Sequence, residues 1–339
     1  MAKAVILAGG QGERFWPLTH KYFPKYRIKF DGKRSLLQGV YQRLLGIYGR
    51  QNIYVITTLA HARMVREELP SLARSRILME PFRNNTCAAI YLSCALLEKS
   101  FGPGETVSFF PADHLIQDET SFKRTMQNAV SLARKKDMLV TIGIQPAFPA
   151  TGYGYIQKGN PLPGVSGAFG VKRFVEKPDK AKAALYLKSG QFFWNAGMFT
   201  WRLGVFMRAM ERYCPEFPRN FDRRRLKASY KKLPDISIDF ALMEKARDIA
   251  VIDARMDWCD MGNWDMLYEK SLWDKDGNYA DGLFYRKQTR DSLVINQTGI
   301  PVITLGVSGL IVVQTPRGTL ICPKGRAEEA ALLSKKVVG

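Results

Sequence analysis

The sequence predicts an α/β protein, a mixed, mostly parallel sheet flanked by helices, with a small C-terminal all-β domain. Two observations carry this. Short β-rich runs alternate with amphipathic stretches through the first half, and after about residue 275 the chain turns to short β runs between Gly, Pro and Ser turns. Strand–helix alternation places crossover helices on both faces of a Rossmann-like sheet.

Taken in order, "AVIL" (4–7), "IYVIT" (53–57), "RILME" (76–80), "VSFFP" (107–111) and "MLVTIGI" (138–144) read as strands. Between them "SLLQGVYQRLLGIY", "NTCAAIYLSCALLEKS" and "FKRTMQNAVSLARK" have helical apolar spacing. Ligands of such sheets sit beyond the carboxyl ends of the strands, so the polar residues after each strand become candidates. "SLVIN", "PVITL", "LIVVQ" and "TLICP" predict coils of a short β-helix. The expected division is 1–277 for the main domain and 278–339 for a β-rich appendage used in capping or dimerisation.

With 46% hydrophobic and 24% charged residues, the 339-residue chain is globular in composition. No apolar run approaches the ~18 residues of a membrane span, and the N-terminal run is too short for a signal peptide. Five scattered cysteines without a Cys-x-x-Cys pair predict reduced thiols in the cytoplasm. Three histidines leave little for a His-based metal centre, so a metal should be oxygen-ligated. The formal charge of +20 fits nucleic-acid binding, anionic substrates or a lysine- and arginine-rich solvated surface. Its densest run, Arg223-Arg224-Arg225 through Lys231-Lys232, fits a solvated helix with Leu226, Tyr230 and Leu233 on one face. No nucleic-acid motif or interleaved aromatic platform accompanies it, so no specific nucleic-acid partner is expected.

The first strand runs into "LAGGQGERFWPLT" (7–19). Glycines permit φ > 0 and let backbone N–H groups approach phosphate oxygens. The stretch has neither the Walker ending nor the G-x-G-x-x-G spacing. On these residues alone a structural turn and a phosphate site both fit. "PADH" (111–114) sets Asp113 after the fourth strand, where an Asx turn or helix cap is the plain alternative. "WCDMGNWD" (258–265) carries Asp260. Two carboxylates from separate strand ends suit Mg²⁺, although nothing in the spacing makes them meet. "TGYGYI" (151–156) supplies Gly154 for close backbone approach, with Tyr153 and Tyr155 as packing or sugar-facing groups. "FVEKP" (174–178) ends in Glu176 and Lys177, either a surface ion pair or a carboxylate for hydroxyls beside an ammonium for phosphate. "FWNAGMFTW" (193–201) puts Asn195 and Gly197 in an aromatic strand, and ligand hydroxyls would supply the partners a buried Asn needs.

In this order, together with "FPK" (23–25), the "EP" and "NT" of 80–86 and "SIDFALMEKA" (237–246), these motifs resemble the sugar-nucleotide pyrophosphorylases. "EKP" followed by "WNAGMF" and "MEKA" is similar to the mannose-1-phosphate guanylyltransferase branch. The resemblance runs from residue 1 to at least 270. Departures are Tyr26, where the family usually has Gln, the Arg83–Ala88 stretch, and Cys259, Met261 and Asn263 around Asp260. They bear on substrate selectivity rather than on reaction class. The added isomerase domain of long bifunctional relatives is not expected.

The resemblance implies that GTP and mannose 1-phosphate give GDP-mannose and pyrophosphate by in-line attack at the α-phosphorus. It assigns Leu7, Ala8, Gly9, Gly10 and Gly12 to the nucleotide, Arg14 to the leaving pyrophosphate and Lys25 to the nucleotide phosphates. Glu80 would accept the N1–H and 2-amino donors of guanine, with Asn85, Thr86 and Pro111 also on the nucleotide side. Lys177 would meet the sugar phosphate, and Tyr153, Gly154, Glu176, Asn195 and Gly197 the sugar. Asp113 and Asp260 would hold Mg²⁺. A homodimer built on 278–339 is expected, with no membrane partner. Other readings are a different hexose- or heptose-1-phosphate nucleotidylyltransferase, or a catalytically silent regulatory relative.

Overall fold

The computed structural model describes residues 2–10, 12–29, 33–271 and 273–338. Their strands are β1 (Lys3–Leu7), β2 (Ile53–Thr58), β3 (Ile77–Glu80), β4 (Thr106–Pro111), β5 (His114–Ile116), β6 (Leu139–Ile144), β7 (Tyr155–Pro161), β8 (Ala168–Val175), β9 (Phe192–Arg202), β10 (Ile249–Ala254) and β11 (Trp258–Asp260). Six more follow: β12 (Tyr279–Asp281), β13 (Phe284–Lys287), β14 (Leu293–Asn296), β15 (Val302–Leu305), β16 (Leu310–Thr315) and β17 (Gly318–Pro323). The helices are α1 (Leu36–Tyr48), α2 (Ala62–Glu68), α3 (Asn85–Phe101), α4 (Glu119–Lys135), α5 (Lys180–Ser189), α6 (Leu203–Tyr213), α7 (Glu216–Asn220), α8 (Leu226–Tyr230), α9 (Trp264–Lys270) and α10 (Ala327–Val338).

The chain divides into two compact units that do not follow chain order. One comprises 1–9, 40–112 and 116–258; the other comprises 10–39, 113–115 and 259–339.

The first unit holds a nine-stranded sheet of order β3-β2-β1-β4-β9-β6-β10-β8-β7. Strands β3, β2, β1 and β4 run parallel to one another, as do β6 and β10. β9 enters antiparallel between β4 and β6, which makes the sheet mixed. All six residues of β2 and of β6 are buried. That continuous burial is what strands covered on both faces require, and it explains why the apolar runs do not alternate. α4 begins where the Asp118 side chain accepts from Ser121 N at 2.9 Å, and it ends in Arg134 and Lys135, complementing the helix dipole. Aromatic rings fill the core; Trp201 stacks on Phe206 at 4.8 Å.

The basic run differs from the expected single helix. Arg223–Arg225 form a 3₁₀ turn, α8 lasts five residues, and Lys231 follows it as the C-cap. The arginines are exposed, but Tyr230 and Leu233 are buried in the core of this unit. Burial of these two side chains, rather than helical propensity, fixes the path of the segment.

In the second unit β12-β14-β16-β17 form one sheet and β13 pairs with β15. Parallel pairing of β12 with β14, β14 with β16 and β13 with β15 gives stacked coils, in keeping with the short β-helix expected. Leu293, Ile295, Ile311 and Val313 share a core with Phe15, Leu18, Leu36 and Trp264. The β runs therefore bury their inner face against residues from before position 40 and from 259–268. Among the described residues no helix is long and apolar enough to cross a membrane.

Candidate active site

The second unit contains the part of the glycine-rich stretch from Gly10 onward. Gly12 has φ +76°, and a Cβ built there would lie 2.4 Å from Lys25 Cβ. Only glycine meets both demands, the left-handed backbone and the close approach of Lys25. Gly12 O accepts from Phe15 N at 2.8 Å and from Thr19 Oγ1 at 2.6 Å, which closes the loop into a compact turn. Phe15 packs edge-on against Trp264 at 4.9 Å, and Trp264 Nε1 donates to Trp16 O. Thus the turn that presents Arg14 is anchored on the segment after Asp260.

Lys25 is the centre of charge. Its Nζ lies 2.7 Å from Asp113 Oδ2 and 3.2 Å from Asp260 Oδ1, with the lysine side chain only 8% exposed. Burial works against its charge, but the carboxylates of Asp113 and Asp260 outweigh burial and hold its pKa above the ordinary lysine value. Burial would likewise push the Asp260 carboxyl up. Lys25, then His114 and Arg14, hold it below the usual carboxylate range. Asp260 therefore stays ionised. Arg14 reaches the same turn, its Nη1 3.5 Å from where a Cβ of Gly262 would stand.

Asp113, His114 and Asp260 each offer a ligand atom, and these atoms lie within 4.8 Å of one another. The structure brings together the two aspartates that sequence spacing left apart. Both already converge on a single cation, the Lys25 ammonium. Two carboxylates suit a hard, oxygen-preferring ion, so the donor set fits Mg²⁺. Sequence reading overlooked His114. Its signal was its place beside Asp113 in "PADH".

The first unit carries the remaining candidates. Leu7 ends β1 and Ala8 and Gly9 follow it; Ala8 N donates to Ile56 O, and Thr57 Oγ1 donates to Ala8 O. Pro111 sits opposite Leu7 in the β1–β4 register. Glu80 ends β3 and is buried, not a surface residue before a turn. Tyr230 donates its hydroxyl to Glu80 Oε2 at 2.5 Å, and Glu80 Oε1 lies 3.5 Å from a Cβ position on Gly9. Burial raises the Glu80 carboxyl to about 7, against the lowering effects of Tyr230 and Arg83. Asn85 (φ +50°) and Thr86 open α3. Asn85 Oδ1 accepts from Thr86 N, and Thr86 Oγ1 accepts from Ile238 N at 2.9 Å, so Thr86 anchors the "SIDFALMEKA" segment.

Asn195 is a junction. Its Oδ1 accepts from Thr141 Oγ1 at 3.0 Å and Gly197 N at 3.2 Å, and its Nδ2 donates to Asp239 Oδ1 at 2.9 Å. Protein groups thus supply the partners that sequence reading assigned to ligand hydroxyls. Asn195 N donates to Gly154 O. A Cβ on Gly154 would meet Glu176 Oε2 at 2.5 Å, so glycine is needed for the carboxylate to fit. Lys177 (φ +45°) pairs with Glu176 Oε1 at 2.5 Å, and Glu244 Oε1 accepts from Glu176 N. Tyr153 packs between Trp194 and Trp258 at 5.1 and 5.3 Å. Asp239, Thr141 and Glu244 were missed as individual residues. Asp239 opens a five-residue π-helical turn, and burial, reinforced by Glu176, raises its carboxyl to about 7.

Residues 3–277 match the family model described as nucleotidyl transferase. The chain belongs to the nucleotidyl transferase family. Residues 288–338 of this nucleotidyl transferase match the model of the MannoseP isomerase/GMP-like beta-helix domain. It is 35% identical to a mannose-1-phosphate guanylyltransferase of Escherichia coli, over 98% of this chain and 72% of that protein. It is 34% identical to the enzyme of the same name from Salmonella montevideo, over 99% and 74%. Among solved structures, a protein described as a mannose-1-phosphate geranyltransferase from Thermus thermophilus superposes with a TM-score of 0.89 at 29% identity, over 100% of this chain and 99% of that one.

Proposed function

We propose that this nucleotidyl transferase moves GMP from GTP to mannose 1-phosphate, giving GDP-mannose and pyrophosphate. The observation that carries this is the convergence of Asp113 and Asp260 on Lys25, in the unit that also holds Arg14 and the glycine turn. The relatives at 34–35% identity support the choice of sugar and base.

The attacking sugar-phosphate oxygen is already anionic, so no general base is required, and the work is to orient and neutralise phosphates. Arg14 holds the departing pyrophosphate and Lys25 the nucleotide phosphates, with the backbone N–H groups of Gly9, Gly10 and Gly12 as further donors to phosphate oxygens. Lys177 takes the sugar phosphate, and Glu176 accepts sugar hydroxyls. Glu80 reads guanine, its carboxylate accepting N1–H and the 2-amino group. Asp113 and Asp260, with His114 adjacent, would hold Mg²⁺. When bound, that ion supplies positive charge to the phosphate oxygens as charge shifts in the transition state.

The same reading extends to assembly and compartment. β13 and β15 leave Tyr285, Ile303 and Leu305 exposed, an apolar face suited to pairing with a second copy. The five cysteines are unpaired and buried, which suits a reducing cytoplasm. A matrix of nucleoside triphosphates against sugar 1-phosphates, read by pyrophosphate release with Mg²⁺, tests the assignment. GTP with mannose 1-phosphate should give the highest kcat/KM. A higher value for another pair would assign the enzyme to that sugar or base instead.

A further inference from the structure

The basic segment 223–232 has no part in the reaction as described above, yet it delivers one buried side chain to a candidate site residue. Tyr230 is fully buried, and its hydroxyl donates to Glu80 Oε2 at 2.5 Å. The segment after β3 fixes the tyrosine in place. Phe82 meets the Tyr230 ring edge-on at 5.4 Å. Asn84 Nδ2 donates to Leu233 O at 3.1 Å and to Tyr230 O at 3.4 Å, so Phe82 and Asn84, in the segment directly after Glu80, hold Tyr230 and the chain that follows it. The other carboxylate oxygen, Oε1, is the one nearest Gly9, which follows β1.

We propose that Tyr230 is a positioning residue for base selection: its hydroxyl fixes the rotation of the Glu80 carboxylate so that both oxygens can accept from guanine. This rests on the reading of Glu80 as the guanine-binding group. The physical need is plain. A buried carboxylate with free rotation about its last bond would present its plane to the base only part of the time. Accepting N1–H and the 2-amino group together requires the plane of the carboxylate to lie along the base edge.

The hydrogen bond also governs charge. Burial raises the Glu80 pKa to about 7, while Tyr230 and Arg83 lower it. Cys87, which acts on Tyr230, has its thiol pKa pushed well up by burial and remains neutral. A protonated Glu80 has one oxygen that can no longer accept without turning its own proton away. Preference for GTP over ITP, which lacks the 2-amino group, should therefore rise with pH through about 7 in the wild-type enzyme.

The test is the ratio of kcat/KM for GTP to that for ITP, measured from about pH 6 to 8, below ionisation of N1–H in either base. The ratio cancels ionisation of the triphosphate and any loss of folded enzyme. Glu80→Gln should lower it about tenfold at pH 8 and abolish its pH dependence. Tyr230→Phe should lower it about fivefold at pH 7 and move the rise to higher pH, with kcat at saturating GTP and the sugar-phosphate KM unchanged. Should the phenylalanine variant fail to fold, 3-fluorotyrosine at position 230 keeps the shape with a stronger donor, and the rise should move to lower pH. If Glu80→Gln lowers the ratio while both changes at 230 leave the pH profile in place, Tyr230 is structural and the guanine reading stands. If Glu80→Gln leaves the ratio untouched, the guanine reading fails and the role of Tyr230 falls with it.

Discussion

A Cβ on Gly12 would stand 2.4 Å from the Cβ of Lys25, so the glycine turn and the lysine between two aspartates form one packed arrangement. Gly12→Ala faces two penalties at once, a side chain at φ +76° and a clash with a buried lysine stem. We expect a stability loss on the order of 1–3 kcal/mol in thermal unfolding. Turnover should fall about 100-fold, because Lys25 is displaced from Asp113 and Asp260. Retention of wild-type turnover would mean that the position of Lys25 does not matter to the chemistry.

Asp113 and Asp260 share one counter-ion and should act as a unit. Asp113→Asn and Asp260→Asn should each lower kcat about 100- to 1000-fold, and the double variant should be little worse than either single one. Removal of divalent ions with EDTA should abolish turnover, and added Mg²⁺ should restore it. Additive losses in the double variant would show two independent roles.

Asp239 gives a pH dependence with a definite sign. Its carboxyl is raised from 3.8 to about 7, so the folded state binds more protons than the unfolded state between those values. Its contribution to stability is therefore present in full below about pH 4 and is lost as pH rises through about 7. Asp239→Asn keeps an acceptor for Asn195 Nδ2 but removes the titration. Its unfolding free energy should match the wild type near pH 4 and exceed it at pH 8, by a margin on the order of 1–3 kcal/mol. A constant offset across that range would remove Asp239 as the titrating group.

Much of this was legible in the sequence, and the failures have physical causes. The strands "AVIL" and "IYVIT" fall in β1 and β2, because short, fully buried apolar runs permit few alternatives. The antiparallel insertion of β9 between β4 and β6 could not be read, since local pattern carries no information on which distant strand will pair. Asp113 and Asp260 were identifiable as carboxylates after strands. Their meeting on Lys25 accompanies the pairing of β5 with β11, a tertiary contact between segments far apart in the chain. Asp239 stayed hidden because a π-helical turn has no distinctive spacing, and its partner Asn195 lies 44 positions away. Tyr230 looked like one position of an apolar helix face, and only the fold reveals that its hydroxyl ends on Glu80.

The apolar face of β13 and β15 makes a prediction about assembly. Ile303 is 72% exposed and Leu305 66% exposed, on a strand that pairs with β13 alone among the described residues. Ile303→Glu with Leu305→Glu should convert a homodimer to monomers in sedimentation or light scattering, with the fold intact by circular dichroism. An unaltered dimer would place the interface elsewhere, and a monomeric wild-type protein would exclude it.

The most direct measurement is ³¹P NMR of the purified protein mixed with GTP, mannose 1-phosphate and Mg²⁺. The account predicts GDP-mannose and pyrophosphate appearing in equal amounts as both substrates disappear, with the same conversion slowed about 100- to 1000-fold for Asp260→Asn. Release of phosphate or pyrophosphate without a new diphosphate linkage to mannose, or no reaction at all by the wild-type protein, would contradict it.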